Sequence, residues 1–427
     1  MWKTSIKYLS ILLSGAIVSK FFLFLYNALI IRELTVNEYA IFTLLMSIFN
    51  WTFVFSHFDL SSAVSKYVSE SVVEGDFEKG WNLHANAVYI CLALATAGVV
   101  GAMLISSSTR GEKSSLFVFY LSLIPAAVVT INNGLINGYG KFVFSALIDG
   151  STGFSRFMFL FIFLLLIGNL NLEKSLILFA AASLIPFTLS TFGLLSVRPD
   201  KASHYAGLRL SRMQELVSYS KWVCATDMLS SGIFLFTSFT LALWSHEDLA
   251  RFGVIVFFYG IFQLSFVLIP SVLIPQVSQK VAQGESIGLL GAKEFGIVTL
   301  GTLVAIALLQ VSSYNQEIIQ LMFHKSLYSD SLTYAAILLL TLPFKIFAVT
   351  YKGIAQGMNH PRAIASVSLW SSVVYAICLI PMYRGLGIMG VVVSLNIMHV
   401  VEFLLCLRAV RKILDSKYSE KNVYISA

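Results

Sequence analysis

Charged residues are scarce in this sequence: Asp, Glu, Lys and Arg together make up 12% of its 427 residues, about half the share found in soluble domains. That scarcity excludes an ordinary solvated globule. Cysteine is nearly absent, and Cys91, Cys224, Cys378 and Cys406 all lie inside apolar runs without a C-x-x-C pair. Neither a disulfide framework nor a cysteine zinc site is expected. The seven histidines are dispersed and form no His-Glu-x-x-His pattern, so no metal centre is expected. No loop exceeds about 18 residues, which leaves no room for an ATP-binding domain. The run "GLINGYGK" at 134–141 has the wrong glycine spacing for a phosphate loop, and Phe142 stands where Ser or Thr would hold magnesium. The net charge of +7 could suggest nucleic acid, but the basic residues are scattered through loops and form no stripe. Nucleic acid is therefore not an expected partner.

Long apolar runs dominate what remains. The chain is 57% hydrophobic, with a mean hydropathy of +0.81. Windows of roughly 20 apolar residues, enough to cross about 30 Å of hydrocarbon as a helix, fall at about 8–31, 39–58, 83–106, 115–136, 143–167 and 173–197, then at 216–244, 250–274, 288–311, 332–356, 363–382 and 387–407. The expected fold class is an all-α polytopic membrane protein of twelve transmembrane helices. The N-terminal run lacks a cleavage site and reads as a retained first span. Roughly 19 of the 29 Lys and Arg fall on one side of this arrangement, which puts both termini inside by the positive-inside rule.

The most basic loop, 198–215, separates two sets of six spans. The expected organisation is an N-terminal lobe at 1–197, a cytoplasmic linker at 198–215, a C-terminal lobe at 216–407 and a cytoplasmic tail at 408–427. An internal repeat supports the division. Residues 39–70 overlay residues 252–283, bringing "SAVSKYV" over "PQVSQKV", and "NGLINGYGKF" resembles "KGIAQGMNHPR". Gly134 and Gly138 then correspond to Gly353 and Gly357. Each G-x-x-x-G reads first as close helix packing. Six spans separate the copies, so the repeat is parallel. The segment 61–82 alternates apolar and polar residues at helical spacing and is expected to lie at the membrane surface as an amphipathic helix. "NWT" at Asn50 lies within a span and is not a glycosylation acceptor.

Lys20, Arg156 and Lys345 fall near the centres of spans, while Asp149, Asp227 and Glu402 lie within spans nearer one end. A charge at a helix centre costs about 2.5–3.5 kcal/mol on insertion scales, so these groups must face protein or water. Either each cation closes a structural salt bridge, or the cations line a cavity for an anionic group. A phosphate suits the second arrangement, since Arg donates bidentately to phosphate oxygens and Lys acts as a point charge. A sugar would add hydroxyl, amide and aromatic partners, for which the candidates are Asn27, Asn50, Trp51, His57, Tyr259, Gln263 and Asn396.

Residues 19–70, "SKFFLFLYNALIIRELTVNEYAIFTLLMSIFNWTFVFSHFDLSSAVSKYVSE", and the "NGLINGYGKF" segment resemble the polysaccharide flippases of the Wzx type. That family shows a short R-x-L turn leading to E-Y, a D-L/G-L-S-x-A motif after the second span, and a Q-G-x-G-(R/K)-F turn after the fourth. The resemblance extends over span number and two-lobe repeat, and it implies two six-helix bundles forming a V around a central cavity. It also implies a substrate, an undecaprenyl-diphosphate-linked O-antigen or capsular repeat unit moved to the periplasmic leaflet of the bacterial inner membrane. Lys20 is the best-matched cavity cation by that resemblance. It further implies a polysaccharide polymerase and a chain-length regulator as candidate partners beside membrane lipids, coupling to protons or sodium, no organic cofactor and no enzymatic activity. Three rivals stand beside it: a multidrug or cation exporter of the same fold, an O-antigen polymerase or ligase, and a membrane scaffold.

Overall fold

The computed structural model describes residues 2–108, 113–197, 210–262, 323 and 326–425, with isolated positions between 269 and 307. The described residues form helices and no strand. Eleven α-helices precede residue 263: α1 (Trp2–Glu33), α2 (Val36–His57), α3 (Leu60–Glu74), α4 (Phe77–Ile105), α5 (Lys113–Leu121), α6 (Leu123–Gly138), α7 (Phe142–Leu166), α8 (Leu172–Ala182), α9 (Leu184–Val197), α10 (Leu210–Trp244) and α11 (His246–Phe262). Four more follow residue 328: α12 (Ser329–Leu339), α13 (Leu342–Gly357), α14 (Pro361–Leu386) and α15 (Ile388–Ile425). Among the described residues, nine spans are long and apolar enough to cross a membrane, or ten when α12 and α13, bent by 51°, count as one. The chain is a multi-pass membrane protein. The expected windows 250–274 and 288–311 and most of the linker lie partly or wholly outside the described residues.

The helix ends follow from local chemistry. Thr35 and Glu38 form a reciprocal capping box at the start of α2, and Asp76 and Asn171 cap α4 and α8 by accepting from Lys79 N and Lys174 N. Each such cap satisfies backbone donors that the first turn leaves open.

The chain divides into two compact units, Met1–Gly253 and Val254–Ala427. In the first unit α1 and α7 run side by side with almost no space between their backbones. A Cβ added at Gly15 would strike the Ala146 carbonyl, and one at Gly153 would strike the Ser19 backbone. The Gly153 N–H donates to Ser19 Oγ at 3.2 Å. Because Gly15 meets Ala146 and Ser19 meets Gly153, the two helices are parallel. Small residues permit this approach, as they do where lipid-embedded helices associate by packing alone.

The surface helix expected over 61–82 is corrected. Two helices occupy the segment, broken at Gly75 (φ +75) and restarted at Asp76. Leu60, Ala63, Val64 and Val68 of α3 are fully buried, in a core that includes Leu83, Ala87 and Cys91 of α4 and Ala127, Ile131 and Leu135 of α6. Spacings of three and four residues put those side chains on one face of a helix. That face meets α4 and α6 inside the unit instead of lipid. Between α2 and α3, Phe58 (φ 49) and Asp59 (φ 48) are both left-handed. Side chains other than glycine rarely adopt this conformation.

The repeat is visible in backbone bonding. After α6, Tyr139 N donates to Leu135 O, Gly140 N to Asn137 O and Lys141 N to Ile136 O; after α13, Met358 N donates to Ile354 O, Asn359 N to Gln356 O and His360 N to Ala355 O. Gly140 and Asn359 both take positive φ, +73 and +65, a conformation Asn tolerates better than most residues. The glycine pairs also pack alike. Gly134 and Gly138 lie against Ser61, Ser65 and Val68, and Gly353 and Gly357 lie against Pro270, Ile274 and Val277. Packing thus matches Ser61 with Pro270, whereas the sequence overlay matches it with Ile274, one helical turn further on.

Candidate functional site

The close α1–α7 crossing fixes where the first cations stand. Lys20 follows Ser19 directly, and Arg156 lies one turn after Gly153, so the parallel pairing brings both to one level of the unit. Both side chains are half-buried, and each charge bears on the other. The Arg156 guanidinium carbon stands 4.1 Å from the centre of the Phe179 ring, a cation–π contact. Tyr26, buried on α1, also lies within the field of Arg156. Among the described residues no carboxylate lies within 4 Å of Lys20 or Arg156. Asp149 accepts from Asn133 Nδ2 of α6 at 3.1 Å. It does not pair with either cation.

The second unit is organised the opposite way. Glu402 on α15 is 2% exposed and receives one ammonium on each oxygen, Lys345 Nζ on Oε2 at 2.7 Å and Lys352 Nζ on Oε1 at 2.5 Å. Lys352 also donates to Ser368 Oγ of α14 at 2.9 Å. Lys345 and Lys352 are seven residues apart on α13, hence on one stripe, with the carboxylate between them. One turn before Glu402, His399 begins a second buried chain. Thr341 Oγ1 donates to Asn396 Oδ1 at 2.6 Å and lies 3.0 Å from His399 Nδ1. With its one proton committed to Asn396, Thr341 accepts from Nδ1–H, which leaves Nε2 to accept from the Tyr259 hydroxyl at 3.4 Å. Asn396 Nδ2 closes the chain on Ile337 O at 2.9 Å.

The remaining expected residues are dispersed. Asn27 Nδ2 bonds Leu23 O at 2.7 Å within its own helix, and His57 Nδ1 lies 2.6 Å from Phe53 O, likewise within its helix. Asn50 is exposed, Trp51 lies against Gly232, and Gln263 is outside the described residues. Asp227 is half-buried on α10, where its charge acts on Asp59. The sequence reading missed Lys352, His399, Thr341 and Asp59. The signal for Lys352 was its seven-residue spacing from Lys345, and that for His399 was its three-residue spacing from Glu402. No group of three His, Cys, Asp or Glu side chains converges among the described residues in a way that could hold a metal.

No family model and no curated protein matches this sequence. Solved structures do. A multidrug resistance MATE family transporter of the MOP superfamily in its outward-facing conformation aligns over 96% of this chain and 96% of its own, with a TM-score of 0.70 at 13% identity. A variant of the Vibrio cholerae MATE transporter VcmN aligns over 97% and 98% with a TM-score of 0.69 at 14% identity. The eukaryotic MATE transporter AtDTX14 aligns over 97% and 99% with a TM-score of 0.67 at 14% identity. The chain therefore has the all-helical, two-lobed fold of the MATE transporters of the MOP superfamily.

Proposed function

We propose that the protein is a flippase for an undecaprenyl-diphosphate-linked oligosaccharide in a bacterial inner membrane, working by alternating access between lobes at 1–197 and 216–407. The observation that carries this reading is the pair Lys20 and Arg156, two half-buried cations at one level of the unit with no carboxylate within 4 Å of either among the described residues. Their uncompensated cost in a span, roughly 5–7 kcal/mol on insertion scales, is relieved by an anion or by water. A diphosphate supplies the anion, and Arg and Lys supply the donor forms that phosphate oxygens accept. The lysine pair around Glu402 adds a buried cluster of net charge +1 in the second unit. Likeness of fold to exporters also supports a transport role. The test is deletion of the gene followed by location of the lipid-linked repeat unit. Trapping in the cytoplasmic leaflet is expected, while single units accumulating on the periplasmic side would indicate a polymerase. Lys20→Ala is expected to abolish surface polysaccharide at normal protein abundance, and Lys20→Arg to retain part of it. Full activity of Lys20→Ala would remove Lys20 from the site.

A second reading, export of organic cations, is favoured by the multidrug transporters among the structural neighbours. It fits the Lys20–Arg156 pair poorly, since that pair repels a cation. Drug accumulation in cells with and without the protein distinguishes the two.

A further inference from the structure

The last turns of α15 carry cations that the two buried sites leave unused. Cys406, Val410, Ile413 and Leu414 pack into a core with Phe347, Tyr351 and Ile354 of α13. Helical spacing then turns Leu404, Arg408, Arg411, Lys412 and Asp415 to the other side of α15, where all five are exposed. With Leu407 they line a groove of about 500 Å³. Among the described residues no carboxylate lies within 4 Å of Arg408, Arg411 or Lys412, that of Asp415 included. The groove sets three cations against one carboxylate, a net charge of +2.

The length of the helix sets the depth of this groove in the membrane. α15 starts at Ile388, directly after the positive-φ turn at Gly387. Arg408 stands 20 residues on, about 30 Å along the axis. That is the thickness of the hydrocarbon core, so Arg408, Arg411 and Lys412 stand where acyl chains give way to headgroups. Leu404, 55% exposed and one turn nearer the centre, and the half-buried Leu407 remain at acyl-chain depth. One open face therefore runs from apolar side chains to cations, the order in which a phospholipid presents its own parts. A free anion would meet the cations and leave the leucines bare. A zwitterionic lipid would cover the leucines but brings no net charge to the cations.

We propose that this groove binds the headgroup of an acidic phospholipid in the leaflet nearest the C-terminus. Arg408 and Arg411, about one turn apart, donate to the phosphodiester oxygens, and Lys412 adds a point charge. An acyl chain lies over Leu404 and Leu407. Asp415, one turn beyond Arg411 on the water side, accepts from a headgroup hydroxyl. The bound lipid ties this end of α15 to the membrane surface, six residues from Glu402 on the same helix. The occupant belongs to the bilayer, so the site is independent of what the protein carries across it.

The experiment is native mass spectrometry of the full chain, delipidated in detergent and titrated with dioleoyl phosphatidylglycerol or, separately, dioleoyl phosphatidylcholine. Wild type should bind one phosphatidylglycerol more tightly than any further one, and more tightly than it binds phosphatidylcholine. Attraction to anionic lipid falls about fivefold for each surface Lys or Arg removed, so Arg408→Gln combined with Arg411→Gln should weaken that first binding about 25-fold. Should the double variant fail to fold, Arg411→Gln alone decides, with an expected loss of about fivefold. Removing two exposed cations elsewhere, Lys113→Gln with Lys141→Gln, should leave the first binding unchanged. An equal loss in that control reduces the effect to diffuse attraction and overturns the site. Equal binding of phosphatidylcholine overturns recognition of charge. Displacement of the lipid by inorganic phosphate at the same concentration overturns the lipid as occupant and leaves a bare anion site.

Discussion

Glu402 is the side chain on which the polar interior of the second unit depends. It is the carboxylate bonded to both Lys345 and Lys352. Removing one partner of a buried ion pair leaves an uncompensated charge, which costs about 3–5 kcal/mol. Glu402→Gln is therefore expected to lower stability by about that amount, read as a fall in the thermal unfolding midpoint in detergent. Replacing all three residues together, Lys345→Met, Glu402→Leu and Lys352→Met, is expected to recover most of the loss, since an apolar trio leaves no buried charge. A triple variant as unstable as Glu402→Gln would show that the network does more than neutralise itself. Lys345 shows why charge alone misleads in a sequence. It stands near a span centre like Lys20, yet one is salt-bridged and the other is not, and the difference lies in which helix faces each.

Glycines set the geometry of the helices, each according to what stands opposite. Gly153 has the Ser19 backbone against it, whereas Gly101 on α4 has open space. Gly153→Ala is expected to destabilise by about 1–3 kcal/mol through overpacking, and Gly101→Ala to be neutral or to stabilise by up to about 1 kcal/mol through helix propensity. Thermal unfolding of the two variants side by side checks both signs. In the turn after α13, Asn359→Gly is expected to be tolerated and Asn359→Val to cost about 1–2 kcal/mol, because φ is +65 there. The helices themselves were legible in the sequence, since a span needs only length and apolar composition. What was not legible is which apolar face meets protein. The segment after Asp59 has the periodicity of a surface helix, but Gly134 and Gly138 of α6, some 70 residues away, give α3 a place to bury that face. The turn "NGYGK" and its partner "QGMNH" were legible because backbone bonding at fixed offsets constrains local sequence. The one-turn shift in the helix they pack on was not, because apolar residues fill either register.

For the molecule as a whole, composition marked a membrane protein and the repeat marked two similar halves, while the pairing of buried charges needed coordinates. The inside location of both termini, expected from the distribution of Lys and Arg, is checked by reporter fusions after Ala427. A fluorescent protein there is expected to fluoresce and alkaline phosphatase to remain inactive, with the reverse pattern inverting the topology.

The crossing of α1 over α7 at Ser19 and Gly153 carries one more implication. Two backbones in such contact travel as one rod, so Lys20 and Arg156 form a single dication whose members cannot be moved apart. Displaced through a quarter of a 100 mV potential, two charges perform about 1.2 kcal/mol of electrical work, roughly an eightfold change in an equilibrium constant. Under the alternating access proposed above, rocking of this rod would make the conformational balance of the protein depend on membrane voltage, even where the cargo itself brought an opposing charge.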